Sequence, residues 1–131
     1  MGGAVFTDRE LDIMAVLWEH GPSTVADVRE RLPLELAYTT VLTILRTLEE
    51  KGHVGHESEG RAYRYHALVE RGEARVTALD RITHKLFAGS TETLLAHLVS
   101  DQELSDEQLQ RIRALLDARL DDDDGGRGEE E

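Results

Sequence analysis

Thr39-Thr40-Val41-Leu42-Thr43-Ile44-Leu45-Arg46-Thr47-Leu48-Glu49-Glu50-Lys51 is the stretch on which the fold turns. Wound at 100° per residue, it places Ile44, Leu45 and Leu48 within about 60° of Val41, a complete apolar stripe. The opposite face, spanning roughly 100° to 240°, holds Thr39, Leu42, Thr43, Arg46, Thr47 and Glu50. Solvent-facing helix positions favour Glu, Lys, Arg and Gln. Threonine is a poorer helix former because its χ1 is restricted. Thr39, Thr40, Thr43 and Thr47 therefore weaken the helix without completing its buried stripe. Short hydroxyl side chains approach phosphates closely, their methyls can meet thymine methyls, and Arg46 can reach a guanine edge or a phosphate. The bland alternative is that the threonines sit half-buried against a neighbouring helix. The helix runs from about Thr39 to Lys51 and stops at Gly52.

Upstream, Thr7 and Glu10 form a capping box, followed by a helix with Leu11, Met14 and Trp18 on one stripe and Ile13 and Leu17 beside it. Gly21-Pro22 ends it. Ser23 or Thr24 caps a short second helix that turns Val25, Val28 and Leu32 inward before Pro33. Downstream lie two short strand-like runs, one near Val54 and one over Arg61-Ala62-Tyr63-Arg64-Tyr65-His66. Glu57-Ser58-Glu59-Gly60 between them reads as the turn of a hairpin. The order helix, helix, helix, hairpin is that of a helix-turn-helix followed by a wing, with the third helix entering the major groove N-terminus first. Alternation puts Arg61, Tyr63 and Tyr65 on one strand face and Arg64 and His66 on the other. Both tyrosines are expected to pack on the helices. Arg61 and Arg64 are the wing candidates for phosphate contact, Arg61 the better placed, beside Gly60.

Beyond Ala67 the pattern is wholly helical. Residues from about Val69 to Phe87 place Val76, Leu79, Ile82 and Leu86 at helical spacing, then Gly89-Ser90 interrupts. Thr91 to Val99 carries Leu94, Leu95 and Leu98. Ser105 and Gln108 open a last helix with Leu109, Ile112, Leu116 and Leu120 on one stripe. This lobe is too short to build a sizeable core alone, so a second copy is expected to cover it. The predicted interface comprises Val76, Leu79, Ile82, Leu86, Phe87, Leu94, Leu95, Leu98, Leu109, Ile112 and Leu116. The predicted class is mainly α with a small β-hairpin. A winged helix-turn-helix lobe spans 5–67, a helical dimerisation lobe 68–120, and a disordered acidic tail 121–131.

The chain has 131 residues, 15 Lys+Arg against 27 Asp+Glu, a net charge of −12 and no cysteine. The last excludes disulfides and thiolate metal sites. Asp117 to Glu131 carries 8 acids and 2 arginines, half of the net charge. Ala37 to His66 is neutral, with Arg46, Lys51, Arg61 and Arg64 against Glu49, Glu50, Glu57 and Glu59. Acidity thus predicts weak non-specific affinity without excluding DNA. No apolar run approaches the roughly 18 residues of a membrane span. Met1-Gly2-Gly3-Ala4-Val5-Phe6 lacks signal-peptide and myristoylation features, so a soluble cytoplasmic protein without membrane insertion is expected. There is no Gly-rich phosphate loop, nucleophile elbow or metalloprotease signature, so neither an enzyme nor a cofactor is expected. His20, His53, His56, His66, His84 and His97 include no i, i+4 pair; a metal site needs three or four convergent ligands, and none is assigned.

The chain resembles the BlaI/MecI penicillinase-repressor family of bacterial transcriptional regulators, which includes the copper-responsive CopY repressors. Across about residues 5 to 120, the resemblance rests on Thr7-x-x-Glu10-Leu11-x-Ile13-Met14-x-x-Leu17-Trp18, Gly21-x-x-Thr24-Val25 and Thr40-Val41-x-Thr43. It continues through Leu48-x-x-Lys51-Gly52, Gly60-Arg61-x-Tyr63-x-Tyr65, Gly89-Ser90 and Leu104-Ser105-x-Glu107. It implies a homodimeric repressor on a dyad operator of double-stranded DNA. Thr40 and Thr43 match the family's recognition-helix threonines, and Arg61 its wing arginine. In β-lactam-responsive members a membrane-bound sensor metalloprotease triggers cleavage of the repressor. The junction aligns with His97-Leu98, and derepression would then follow β-lactam or cell-envelope stress. Leu36-Ala37 replaces a frequent Trp-Ser, and Thr47 a frequent arginine. Without cysteine pairs, thiolate copper sensing is excluded. The competing reading is a winged-helix interaction module or anti-repressor kept off DNA by its acidity.

Overall fold

The computed structural model describes the backbone of residues 4–130 and the side chains of residues 4–123. The reading of Met1-Gly2-Gly3 lies outside the described residues. The elements are α1 (Asp8–His20), β1 (Ser23–Thr24), α2 (Val25–Arg31), α3 (Tyr38–Glu50), β2 (Val54–Glu59), β3 (Ala62–Ala67), α4 (Arg71–Leu86), α5 (Thr91–Asp101) and α6 (Asp106–Glu130). The chain divides into two compact units, one ending at Ile82 and one starting at Thr83.

In the first unit, local capping chemistry sets the helix starts. The Thr7 hydroxyl accepts from Glu10 N–H at 3.2 Å, and the Glu10 carboxylate accepts from Thr7 N–H at 2.8 Å. Thr24 and Asp27 repeat the exchange at the head of α2, at 3.1 and 3.2 Å. Gly21, at φ 78°, closes α1 by donating to Leu17 C=O, in a conformation that glycine adopts without a Cβ penalty. The core gathers Ile13, Met14, Val16 and Leu17 of α1, Val28 of α2, Val41, Leu45 and Leu48 of α3, Val54 of β2 and Tyr65 of β3. The α1 stripe is rotated from the expected one, with Leu11 exposed and Trp18 half-buried. The indole instead sends Nε1–H to Val69 C=O at 2.8 Å, and the Arg71 guanidinium lies over its ring at 5.8 Å. Ala74 is also buried. These ties hold the first turns of α4 to the first unit, which is why the division falls inside α4 and not at Ala67.

The sheet is antiparallel in the order β1-β3-β2. The sequence shows the hairpin but not β1, because two residues carry no periodicity. β1 is fixed by pairing Ser23 with Tyr65 and by the buried Ser23 hydroxyl, which donates to Gly21 C=O and accepts from Arg31. β2 reaches Glu59, so the turn is at Gly60-Arg61 and not over Glu57–Gly60. Glu57 stays paired with Arg64 in the ladder, and Glu59 also binds Arg64 across it. Those cross-strand partners keep the acidic residues in the strand.

In the second unit, the expected Ser105/Gln108 capping box opens α6, and Ser90, read from sequence only as a break, caps α5. The composition predicts an unstructured tail from residue 121. Instead α6 continues to Glu130; extending an existing helix is far easier than nucleating one. No described residue of α5 is buried, and Leu86 (76% exposed), Leu98, Leu115, Leu116 and Leu120 lie open.

Candidate nucleic-acid interface

The core fixes how α3 faces outward. Burial of Val41, Leu45 and Leu48 on one side leaves Thr39, Thr40, Thr43, Arg46 and Glu50 exposed on the other. Leu42, predicted to face DNA, is half-buried and packs against the core. It lies about 100° from Val41, at the edge of the stripe, where the core reaches it. Thr47 is half-buried.

Thr43 Oγ donates to Thr39 C=O at 2.9 Å, and Thr47 Oγ donates to Thr43 C=O at 3.0 Å. Such back-bonding to the preceding turn consumes the hydroxyl proton and fixes the rotamer. Each threonine is then left with a methyl group and an acceptor lone pair, not the donor anticipated from composition. The face can meet thymine methyls or accept from a base amino group. At the start of the helix, Ala37 offers no side-chain cap and the first turn has no acid. The first amides of α3 remain available, at the positive end of the helix dipole.

Charges near this face sort into paired and free. Glu49 holds His56 Nδ1 at 2.5 Å, Glu59 holds Arg64, and Lys51 Nζ binds Glu10 at 2.8 Å. Arg46 and Arg61 are exposed and make no hydrogen bond or ion pair among the described residues. Arg61 stands at the wing tip, directly after Gly60 at φ 61°. Arg64, the other wing candidate, also reaches Pro22 C=O at 3.2 Å and Asp27 at 3.8 Å. Its guanidinium, raised further above its ordinary value by Glu59, joins the wing to the loop before β1 and to α2. Asp27 is held below its ordinary value by the Thr24 amide first.

The two tyrosines separate. Tyr65 is buried in the core, its phenol pushed up by burial and then by the Glu49 carboxylate. Tyr63, also expected to pack on the helices, is 48% exposed and lies against His56 at 4.4 Å between ring centroids. It is nearer the wing tip, where the hairpin extends past the helices. His53 meets Phe6 and His66 meets Gly55, so the wing histidines diverge. Among the described residues no group of three metal-ligating side chains forms.

Composition could not show the Lys51–Glu10 and His56–Glu49 pairs, which join separate elements. The capping box alone hinted at Glu10. In the second unit, His97 and Leu98 lie within α5, with His97 Nδ1 bound to Asp101 at 2.8 Å and its ring against Phe87. Val76, Leu79, Ile82, Leu86, Leu95, Leu98, Leu109 and Leu116 are exposed, and Phe87, Leu94 and Ile112 are half-buried. Among the described residues no helix is long and apolar enough to cross a membrane.

The family model described as penicillinase repressor matches residues 6–118. The transcriptional regulator BlaI of Mycobacterium tuberculosis is 34% identical over 116 residues, covering 85% of this chain and 84% of its own. The DNA-binding domain of the repressor BlaI, solved in solution, is 28% identical and covers 56% of this chain and 93% of that domain, at a TM-score of 0.49. A MarR family protein from Bacillus stearothermophilus shares the fold at a TM-score of 0.51 and 18% identity, covering 91% of this chain and 76% of that one. Matched over residues 6–118 and carrying a winged-helix unit, this chain belongs to the penicillinase repressor family.

Proposed function

We propose that the protein represses transcription as a homodimer on a dyad operator in the cytoplasm. The N-terminal half of α3 enters the major groove, where Thr39, Thr40, Thr43 and Arg46 meet base edges. Arg61 meets a phosphate beside the site. The observation that carries this reading is the outward face of α3, where an arginine unpaired among the described residues and back-bonded threonines stand away from a finished core. Apolar side chains of α4, α5 and α6 left open in a single chain support the dimer. Relief of repression by a membrane-bound sensor protease, as the family resemblance implies, requires α5 to open around His97-Leu98.

The test is a titration of the full chain against the duplex upstream of its own gene, at several salt concentrations. Salt-dependent, saturable binding is expected, with Arg46→Ala weakening it roughly tenfold or more, the scale of a specific base contact. The absence of binding at low salt would restore the interaction-module reading. Wild-type affinity in Arg46→Ala would remove α3 from the interface.

A further inference from the structure

The hairpin is held from both faces. On the face shared with Tyr63 and Tyr65, His56 Nδ1 lies 2.5 Å from Glu49 Oε2 in the last turn of α3. The His56 ring packs against both tyrosines, at 4.4 and 5.4 Å. On the opposite face, Arg64 reaches Pro22 C=O and Asp27 while also binding Glu59 near the wing tip. The strand register puts these anchors side by side: His56 pairs with Tyr65, and Glu57 with Arg64. Beyond them only Ser58-Glu59-Gly60-Arg61-Ala62-Tyr63 extend. A two-stranded ribbon is marginal on its own and twists readily. Its direction beyond the sheet therefore depends on the side chains that clamp its base.

We propose that His56, through Glu49, and Arg64, through Pro22 and Asp27, are positioning residues that aim the wing so that Arg61 meets a phosphate while α3 occupies the groove. This rests on the operator reading above and deepens it. Neither residue need touch DNA. Glu49 belongs to α3 itself, so the His56 bond ties the wing directly to the recognition helix. Arg64 ties it to the cap of α2, because Asp27 is the capping-box partner of Thr24.

This arrangement is tested by coupling. The probe is a duplex selected from random sequence by the wild-type full chain, titrated by fluorescence anisotropy across a salt series. Arg61→Ala should lower affinity and flatten the log–log salt slope by about 0.9, the release expected from one phosphate contact. His56→Ala should lower affinity about three- to tenfold, the span of one hydrogen bond, and flatten the slope equally. His56→Ala/Arg61→Ala should bind no worse than Arg61→Ala alone. His56→Gln, whose amide can still donate to Glu49, should recover most of the affinity.

Independently of DNA, amide exchange at residues 58–63 should quicken in His56→Ala and in Glu49→Gln. Additive losses with an unchanged salt slope would overturn the proposal, because His56 would then act apart from Arg61. So would unchanged exchange at the wing. If the wild-type chain selects no duplex, the operator reading fails. The exchange result still decides whether the clamp exists.

Discussion

The ion pair between Glu10 and Lys51 gives the sharpest stability prediction. Glu10 is 4% exposed, and its carboxylate accepts from Thr7 N–H at 2.8 Å and from Lys51 Nζ at 2.8 and 3.1 Å. It thereby joins the head of α1 to the end of α3. Lys51→Met keeps an apolar stem but leaves a buried carboxylate with only the Thr7 amide. Hydrogen bonds to charged groups contribute about 1.5–3 kcal/mol. The Lys51 side chain is 41% exposed, so screening places the loss near the lower limit, about 1.5 kcal/mol at pH 7. With a urea slope of about 1.5 kcal/mol/M, the midpoint falls by about 1 M.

Burial alone would raise the Glu10 carboxyl; the Lys51 and Thr7 bonds outweigh it and hold the group below 4.5. Stabilisation by a lowered carboxyl is complete above its unfolded value and lost as pH falls through the folded one. The gap between wild type and Lys51→Met should therefore be full at pH 7 and shrink through the acid limb below 4.5. Trp18, the single tryptophan, reports from the same unit. Urea unfolding followed by its fluorescence, at one fixed protein concentration, measures both effects. A loss under about 0.5 kcal/mol, or a gap that persists unchanged into acid, would refute the reasoning.

Three further outcomes are expected. Because the Thr43 hydroxyl is spent on Thr39, Thr43→Val should keep operator affinity within about twofold while Thr43→Ser, which lacks the methyl, weakens it; the reverse order in anisotropy titrations would assign readout to the hydroxyl. Gly60→Ala should destabilise the chain by about 1 kcal/mol in urea, since φ is 61° although the Cβ position is open; an unchanged midpoint would mean that the turn relaxes. Leu116→Asp should shift the full chain to monomer in sedimentation velocity and reduce operator affinity at fixed protein concentration, whereas an unchanged sedimentation coefficient would remove Leu116 from the dimer interface.

The helical order and most of the core were legible because Val41, Leu45 and Leu48 repeat at helical spacing and because capping boxes mark their helices by local chemistry. Arg46 could be placed outward by the same arithmetic. Leu42 could not, because a residue at the stripe's edge is buried or open according to a neighbour the helix does not encode. Tyr63 and Tyr65 have identical local signals, and only the distance of each from the wing tip separates them. Arg64 read as a phosphate contact because charge pattern shows a cation but not its partners, which lie in α2, the loop before β1 and β2. β1 and the Lys51–Glu10 bond escaped for the same reason: both are long-range in sequence.

The back-bonded threonines carry an entropic consequence. A lysine or glutamine at position 43 or 47 would wave through several rotamers in the free protein and surrender up to about 2 kcal/mol of that freedom on docking. Thr43 and Thr47 have already surrendered theirs to the carbonyls of their own helix. The weaker helix propensity of threonine is felt once, during folding, and in the proposed interface it would not be felt again at each encounter with DNA. A surface so preordered would discriminate by fit and not by adaptation: in the proposed complex a mismatched base would meet a Thr43 methyl that cannot swing aside.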